Sequence, residues 1–171
     1  MKIVILALAG ALIPGSGALA QSHDAFLEHG FQPNPYATTV NAGGGDDLAA
    51  LSEGLDVNGL CTGWIPQDAS FVFFYGSSTV ATDRITAAID EEDPIWRDRL
   101  VPIEITVTGD VDLVLALEAP DGSIWCDSAG SGDNQARITL AAGTGGYHVY
   151  VGTRRPNMNR RVRLTVREMQ P

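Results

Sequence analysis

Lysine is almost missing from this chain. Of 171 residues only Lys2 carries an ammonium group, and the other ten basic residues are arginines. They face 21 acids, leaving a formal charge of −10. An acid excess of this size repels polyanions at long range, so nonspecific binding to nucleic acid or anionic lipid is not expected. Cysteine is scarce as well. Cys61 and Cys126 are the only two, too few for a disulfide-dense miniprotein or a four-cysteine zinc centre and enough for one bridge. Aromatics make up 7% of the residues, yet the 44% hydrophobic content excludes a disordered chain. The length suits one domain.

What is present begins with a leader pattern. Lys2 precedes an apolar run from Ile3 to Ile13, Pro14-Gly15 breaks it, and Ala18-Leu19-Ala20 puts small residues before Gln21. That is the order of a secretory signal, and its run of about eleven residues falls short of the roughly twenty that a spanning anchor needs. No cysteine follows the cut to carry a lipid. The reading is a signal peptide over 1–20 and an exported chain, periplasmic or extracellular, with no membrane span. A free thiol is a liability in an oxidising compartment. The expectation is therefore a Cys61–Cys126 disulfide, with Trp64 and Trp125 packed around it.

Residues 21–50 read as an extended N-terminal segment, marked by Pro33, Pro35 and the Gly43-Gly44-Gly45 loop. The domain proper is expected over 51–171. There the apolar residues alternate: Ile103, Ile105 and Val107; Val111, Leu113, Leu115 and Leu117; Tyr147, Val149 and Val151; Val162, Leu164 and Val166. Each set predicts a half-buried strand. Phe71 to Tyr75 is apolar on both faces and fits a central strand. Turn signals near Gly109, Gly122, Gly132 and Gly145 recur about every ten residues, the spacing of an antiparallel sandwich. Ala87 to Arg99 is the one ambiguous stretch.

The order of these pieces is similar to a known family. A strand opening Gly109-Asp110-Val111-Asp112-Leu113, an Asp121-Gly122 turn, Asp133-Asn134, and Gly146-Tyr147-His148-Val149-Tyr150-Val151 before a closing strand resemble the bacterial pre-peptidase C-terminal domain. The resemblance covers about residues 100–168. Cys61-Thr62-Gly63-Trp64, Trp125-Cys126-Asp127 and Gly30 to Tyr36 look like small secreted single-domain relatives, which are often labelled serine peptidases. The resemblance implies an all-β jelly-roll β-sandwich, here of about eight strands with one disulfide. It also implies an accessory or binding module of secreted hydrolases, with calcium bound in some members.

The residues give a peptidase little to work with. A serine peptidase needs Ser, His and an acid in mutual contact. His23 and His29 lie in the N-terminal segment, and His148 lies mid-strand on an outward face. Ser128 and Ser131 sit in glycine-rich turns without the nucleophile-elbow pattern. No catalytic residue is assigned. Calcium has better candidates, because it takes six to eight oxygens from Asp- and Asn-rich loops. Asp110, Asp112, Asp121, Asp127, Asp133 and Asn134 would converge if the turns at one end of the sandwich meet; otherwise they are turn formers.

The charge is unevenly spread. Between Gln21 and Asn134 there are 20 acids and three arginines, and beyond Asn134 seven arginines face Glu168 alone. Arg161, Arg163 and Arg167 alternate along the last strand. They either balance acidic neighbouring strands or grip an anionic ligand such as a uronate-bearing glycan, since guanidinium pairs with carboxylate bidentately. The surface is therefore dipolar rather than uniformly negative. The leading expectation is an exported non-catalytic module for a glycan, protein or cell-envelope ligand. A secreted hydrolase and a structural envelope protein are the alternatives.

Overall fold

The computed structural model describes residues 24–53, 57–59, 61–76, 100–128 and 134–169. The leader, His23, the 87–99 stretch, Ser131 and Asp133 lie outside the described residues. The chain forms an all-β sandwich of two sheets, and eight of its strands have five or more residues. The larger sheet runs β1(Ala25–Leu27), β6(Phe71–Tyr75), β11(Gly145–Thr153), β8(Leu113–Glu118), β9(Ile124–Ser128) and β4(Val57–Gly59). The short β3(Asp46–Asp47) and β5(Trp64–Ile65) attach to it, β5 pairing with the end of β11. The smaller sheet runs β10(Gln135–Ala142), β7(Val101–Thr108), β12(Arg160–Glu168) and β2(Tyr36–Ala42). Pairing is antiparallel except at the three-residue strands β1 and β4, which lie parallel to β6 and β9.

The alternating patterns account for the core. Ile103, Ile105, Val107, Val162, Leu164 and Val166 from the smaller sheet meet Leu113, Leu115, Leu117, Tyr147 and Val149 from the larger, all buried. Phe71, Phe73 and Tyr147 add a ladder of stacked rings, with centroids 5.9 and 5.0 Å apart. The segment 21–50 does more than lead into this sandwich. Its β2 pairs with β12 over seven residues, and Val40 and Ala42 are buried.

The larger sheet also has a second apolar layer, on its outer face. Val114 and Ala116 of β8 alternate with the inward leucines and are buried beneath Leu48 and Ile65. Leu48 belongs to the single turn α1(Leu48–Leu51), capped by Asp47, whose Oδ1 accepts from the Ala49 N–H at 3.1 Å. Cys61 and Cys126 form the disulfide, with an S–S distance of 2.02 Å, inside this layer. Contrary to expectation, Trp125 does not pack on the bridge. Residues alternate across β9, so Trp125 points to the main core while Cys126 points outward. The contacts around the bridge come from Leu48, Ile65, Val114 and Ala116 instead. At Gly152 of β11 any Cβ would run into the Trp64 carbonyl, so glycine lets β5 lie across the sheet.

Candidate functional site

The outer face of the smaller sheet is built by three registers. Arg163 of β12 lies between Thr108 of β7 and Thr39 of β2, with Gln135 of β10 beyond Thr108. Thr165 lies between Thr106 and Ala37, and Arg137 completes that row. Arg167 sits opposite Glu104, and Arg161 opposite Asn41. Threonine and arginine fill an exposed sheet face well, since a branched or long side chain packs on its cross-strand neighbour while the polar end stays wet. The result is an open polar surface with four arginines and one carboxylate.

Glu104 is 17% exposed and is shared. Arg137 reaches one of its oxygens at 3.4 Å and Arg167 the other at 4.0 Å. Among the described residues no carboxylate pairs with Arg161 or Arg163. The strands flanking β12 carry only Glu104 as an acid, so of the outward arginines of this strand Arg167 alone has an acidic cross-strand neighbour. Consecutive outward residues on a strand are about 6.7 Å apart. The side chains of Arg161 and Arg163 therefore leave the backbone at that spacing, with that of Arg167 roughly 13 Å further along.

The acidic candidates separate into three places. Asp110, Asp112 and Asn134 line one depression of about 250 Å³, which Arg154, Arg155 and Met158 also line. The Gly109 N–H donates to the Asn134 carbonyl, and the Arg154 N–H to that of Asp112, so backbone bonds hold this corner. Asp121 is at the other end of β8, roughly 20 Å away along a six-residue strand. There its Oδ1 accepts from the hydroxyl and the backbone N–H of Ser123, at 2.7 and 2.9 Å. These bonds hold its carboxyl below the usual carboxylate range, the hydroxyl contributing most. Asp127 accepts from the Arg137 N–H at 2.6 Å, joining β9 to β10 across the edge of the sandwich. Among the described residues no group of three or more His, Cys, Asp or Glu is placed to hold a metal ion.

No family model matches the chain, and no curated protein or solved structure matches it. The site has to be judged on its own chemistry.

The serine and histidine candidates among the described residues are engaged elsewhere. Ser128 is buried, and its Oγ donates to the Thr62 carbonyl at 2.7 Å and accepts from the Thr62 N–H at 3.3 Å. It thereby ties β9 to the residue after Cys61. His148 meets Glu118 at 3.2 Å, and His29 meets the Tyr75 hydroxyl at 3.1 Å. Two features escape a reading of the sequence. One is the polar network of His29, Tyr75 and Glu168, whose members are 46 and 93 positions apart. The other is a cleft beside α1, of which the apolar parity of Val114 and Ala116 was the available signal.

Proposed function

We propose that this chain is an exported, non-catalytic β-sandwich module that binds an acidic glycan across the outer face of its smaller sheet. The observation that carries the reading is the excess of arginine on that face, with Arg161 and Arg163 lacking carboxylate partners among the described residues. Guanidinium forks grip carboxylates bidentately, and an open sheet face suits an extended polymer better than a small molecule. Neighbouring threonines supply hydroxyl donors and acceptors for sugar hydroxyls. The leader pattern and the disulfide together support export to the periplasm or the medium. Ser128, spent on Thr62, supports a non-catalytic role. The order of strands and turns from Asp110 to Arg167 supports kinship with pre-peptidase C-terminal domains. Calcium enters the reading through Asp110, Asp112 and Asn134 as oxygen donors, and a melting temperature unmoved by millimolar calcium and by chelator would remove it.

Calorimetric titration with oligogalacturonate and with a neutral oligosaccharide of equal length tests the reading. The acidic chain is expected to bind, with affinity falling as salt rises. Hydrogen bonds to charged groups contribute about 1.5–3 kcal/mol each, so Arg161→Ala with Arg163→Ala should weaken binding by about a hundredfold or more. Equal binding of the neutral chain, or no change in the double variant, would sink the proposal. Labelling of any serine by a fluorophosphonate would overturn its non-catalytic part.

A further inference from the structure

On the opposite side of the molecule, the outer layer of the larger sheet does not close. Between α1, β5 and the strands β8, β9 and β11 lies a cleft of about 360 Å³, within the size range of small-ligand sites. Leu48, Ile65 and Ile124 give it apolar walls, and Tyr150 contributes a half-buried ring. Two carboxylates line it: Asp46 from β3 and Glu118 from the end of β8. No lysine or arginine lines it among the described residues.

Its electrostatics favour one class of guest. The Tyr150 hydroxyl is pushed up, first by burial and then by the charges of Glu118 and Asp68, so carboxylates dominate the field around the ring. His148 meets one oxygen of Glu118 at 3.2 Å, and the Glu118 side chain remains 42% exposed. An anion would be repelled. A neutral apolar guest would gain the walls and leave the carboxylates unused. An ammonium group on an apolar body uses both, and it can also rest against the electron-rich face of a tyrosine ring.

We propose that this cleft binds a small organic cation, its apolar body against Leu48, Ile65 and Ile124 and its charge toward Asp46, Glu118 and the Tyr150 ring. The proposal is independent of glycan binding, since no residue of the arginine face lines the cleft.

The test uses the whole protein and three probes of similar shape: 2-phenylethylammonium, 2-phenylethanol and phenylacetate. Amide shifts in a nitrogen-15 correlation spectrum report both affinity and place. The ammonium is expected to move the signals of Ala116, Ile124 and Tyr150 and to bind about tenfold tighter than the alcohol, as two surface ion pairs allow. Phenylacetate should not bind. Glu118→Gln and Asp46→Asn should each weaken the ammonium about threefold and leave the alcohol unchanged. Tyr150→Leu, which keeps the apolar wall, should weaken the ammonium about threefold. Arg161→Ala with Arg163→Ala should change nothing here, so failure of glycan binding and failure of this site are separate results. No binding of the ammonium at millimolar concentration, equal binding of the alcohol, shifts centred elsewhere, or full affinity in the Glu118→Gln and Asp46→Asn double variant would overturn it.

Discussion

Tyr75 is fully buried, yet its hydroxyl is satisfied from both sides. It donates to Glu168 Oε2 at 3.0 Å, which leaves its own lone pair for a donor, and His29 Nδ1 stands 3.1 Å away. The bond therefore places a proton on Nδ1 of His29. The same Glu168 oxygen accepts from the Gly30 N–H at 2.8 Å. Asn34 exchanges two bonds with the Glu168 backbone, at 2.8 and 3.1 Å. One tyrosine oxygen and one carboxylate thus fasten the N-terminal segment to the end of β12. Tyr75→Phe would remove the shared hydroxyl, leaving Glu168 Oε2 with the Gly30 N–H and His29 Nδ1 without its partner. A loss of about 1–3 kcal/mol in urea unfolding is expected. Tyr36→Phe is the control, because no hydrogen bond to the Tyr36 hydroxyl is formed among the described residues. Equal losses in the two variants would remove the special role of Tyr75.

At the scale of elements, β8 decides how the larger sheet is used. Its run Leu113 to Leu117 is buried on both faces: the leucines inward at 0% exposure, Val114 and Ala116 outward at 0% and 3%. A strand read only for Leu113, Leu115 and Leu117 leaves the other face to solvent. The continuous run was the legible trace of a covered face. The strands β7 and β12 were legible because their outward residues are mostly polar and a period of two survives in the sequence; β11 was legible over Tyr147 to Val151, although the second layer covers its outer side at Tyr150 and Gly152. β2 was not, because Thr38 stands among its inward residues and Ala37 among its outward ones. The cleft left only the apolar parity of β8 as a trace, since β3, β5, β8, β9 and β11 reach it from distant parts of the chain. The disulfide was legible from count and compartment, but its surroundings were not. It spans 65 positions, so in the chain-entropy model its loss should cost about 4 kcal/mol. Cys61→Ala with Cys126→Ala should lower the urea midpoint accordingly. Hydrogen exchange at Leu48 and Ile65 should quicken more than at Leu164 in the main core. Uniform quickening would mean that the outer layer and the main core open together.

For the whole molecule, Arg137, Arg161, Arg163 and Arg167 share the outer face of the smaller sheet with Glu104 as its one carboxylate among the described residues, which gives a net-negative protein one cationic face. The same global view bears on its alkaline limit. Tyr75 and Tyr147 are both buried in the main core, on adjacent strands of the larger sheet. Burial pushes Tyr147 up to about 12, and pushes Tyr75 up with added help from the hydrogen bond and charge of Glu168. Their unfolded value is near 10. Below pH 10 both states hold the protons, so the contribution is fully present. Above it the unfolded chain releases them first, and stability falls as pH rises toward the folded values. Two such protons cost roughly 3 kcal/mol per pH unit in that window. The melting temperature should therefore be insensitive to these tyrosines from pH 7 to about 10 and drop steeply beyond. With Tyr36 and Tyr150 replaced by phenylalanine, so that only Tyr75 and Tyr147 report, phenolate absorbance should rise in one step that coincides with loss of the near-ultraviolet circular dichroism. If the phenolates form smoothly while the dichroism persists, the rings ionise within a folded core, and burial does not govern the alkaline transition.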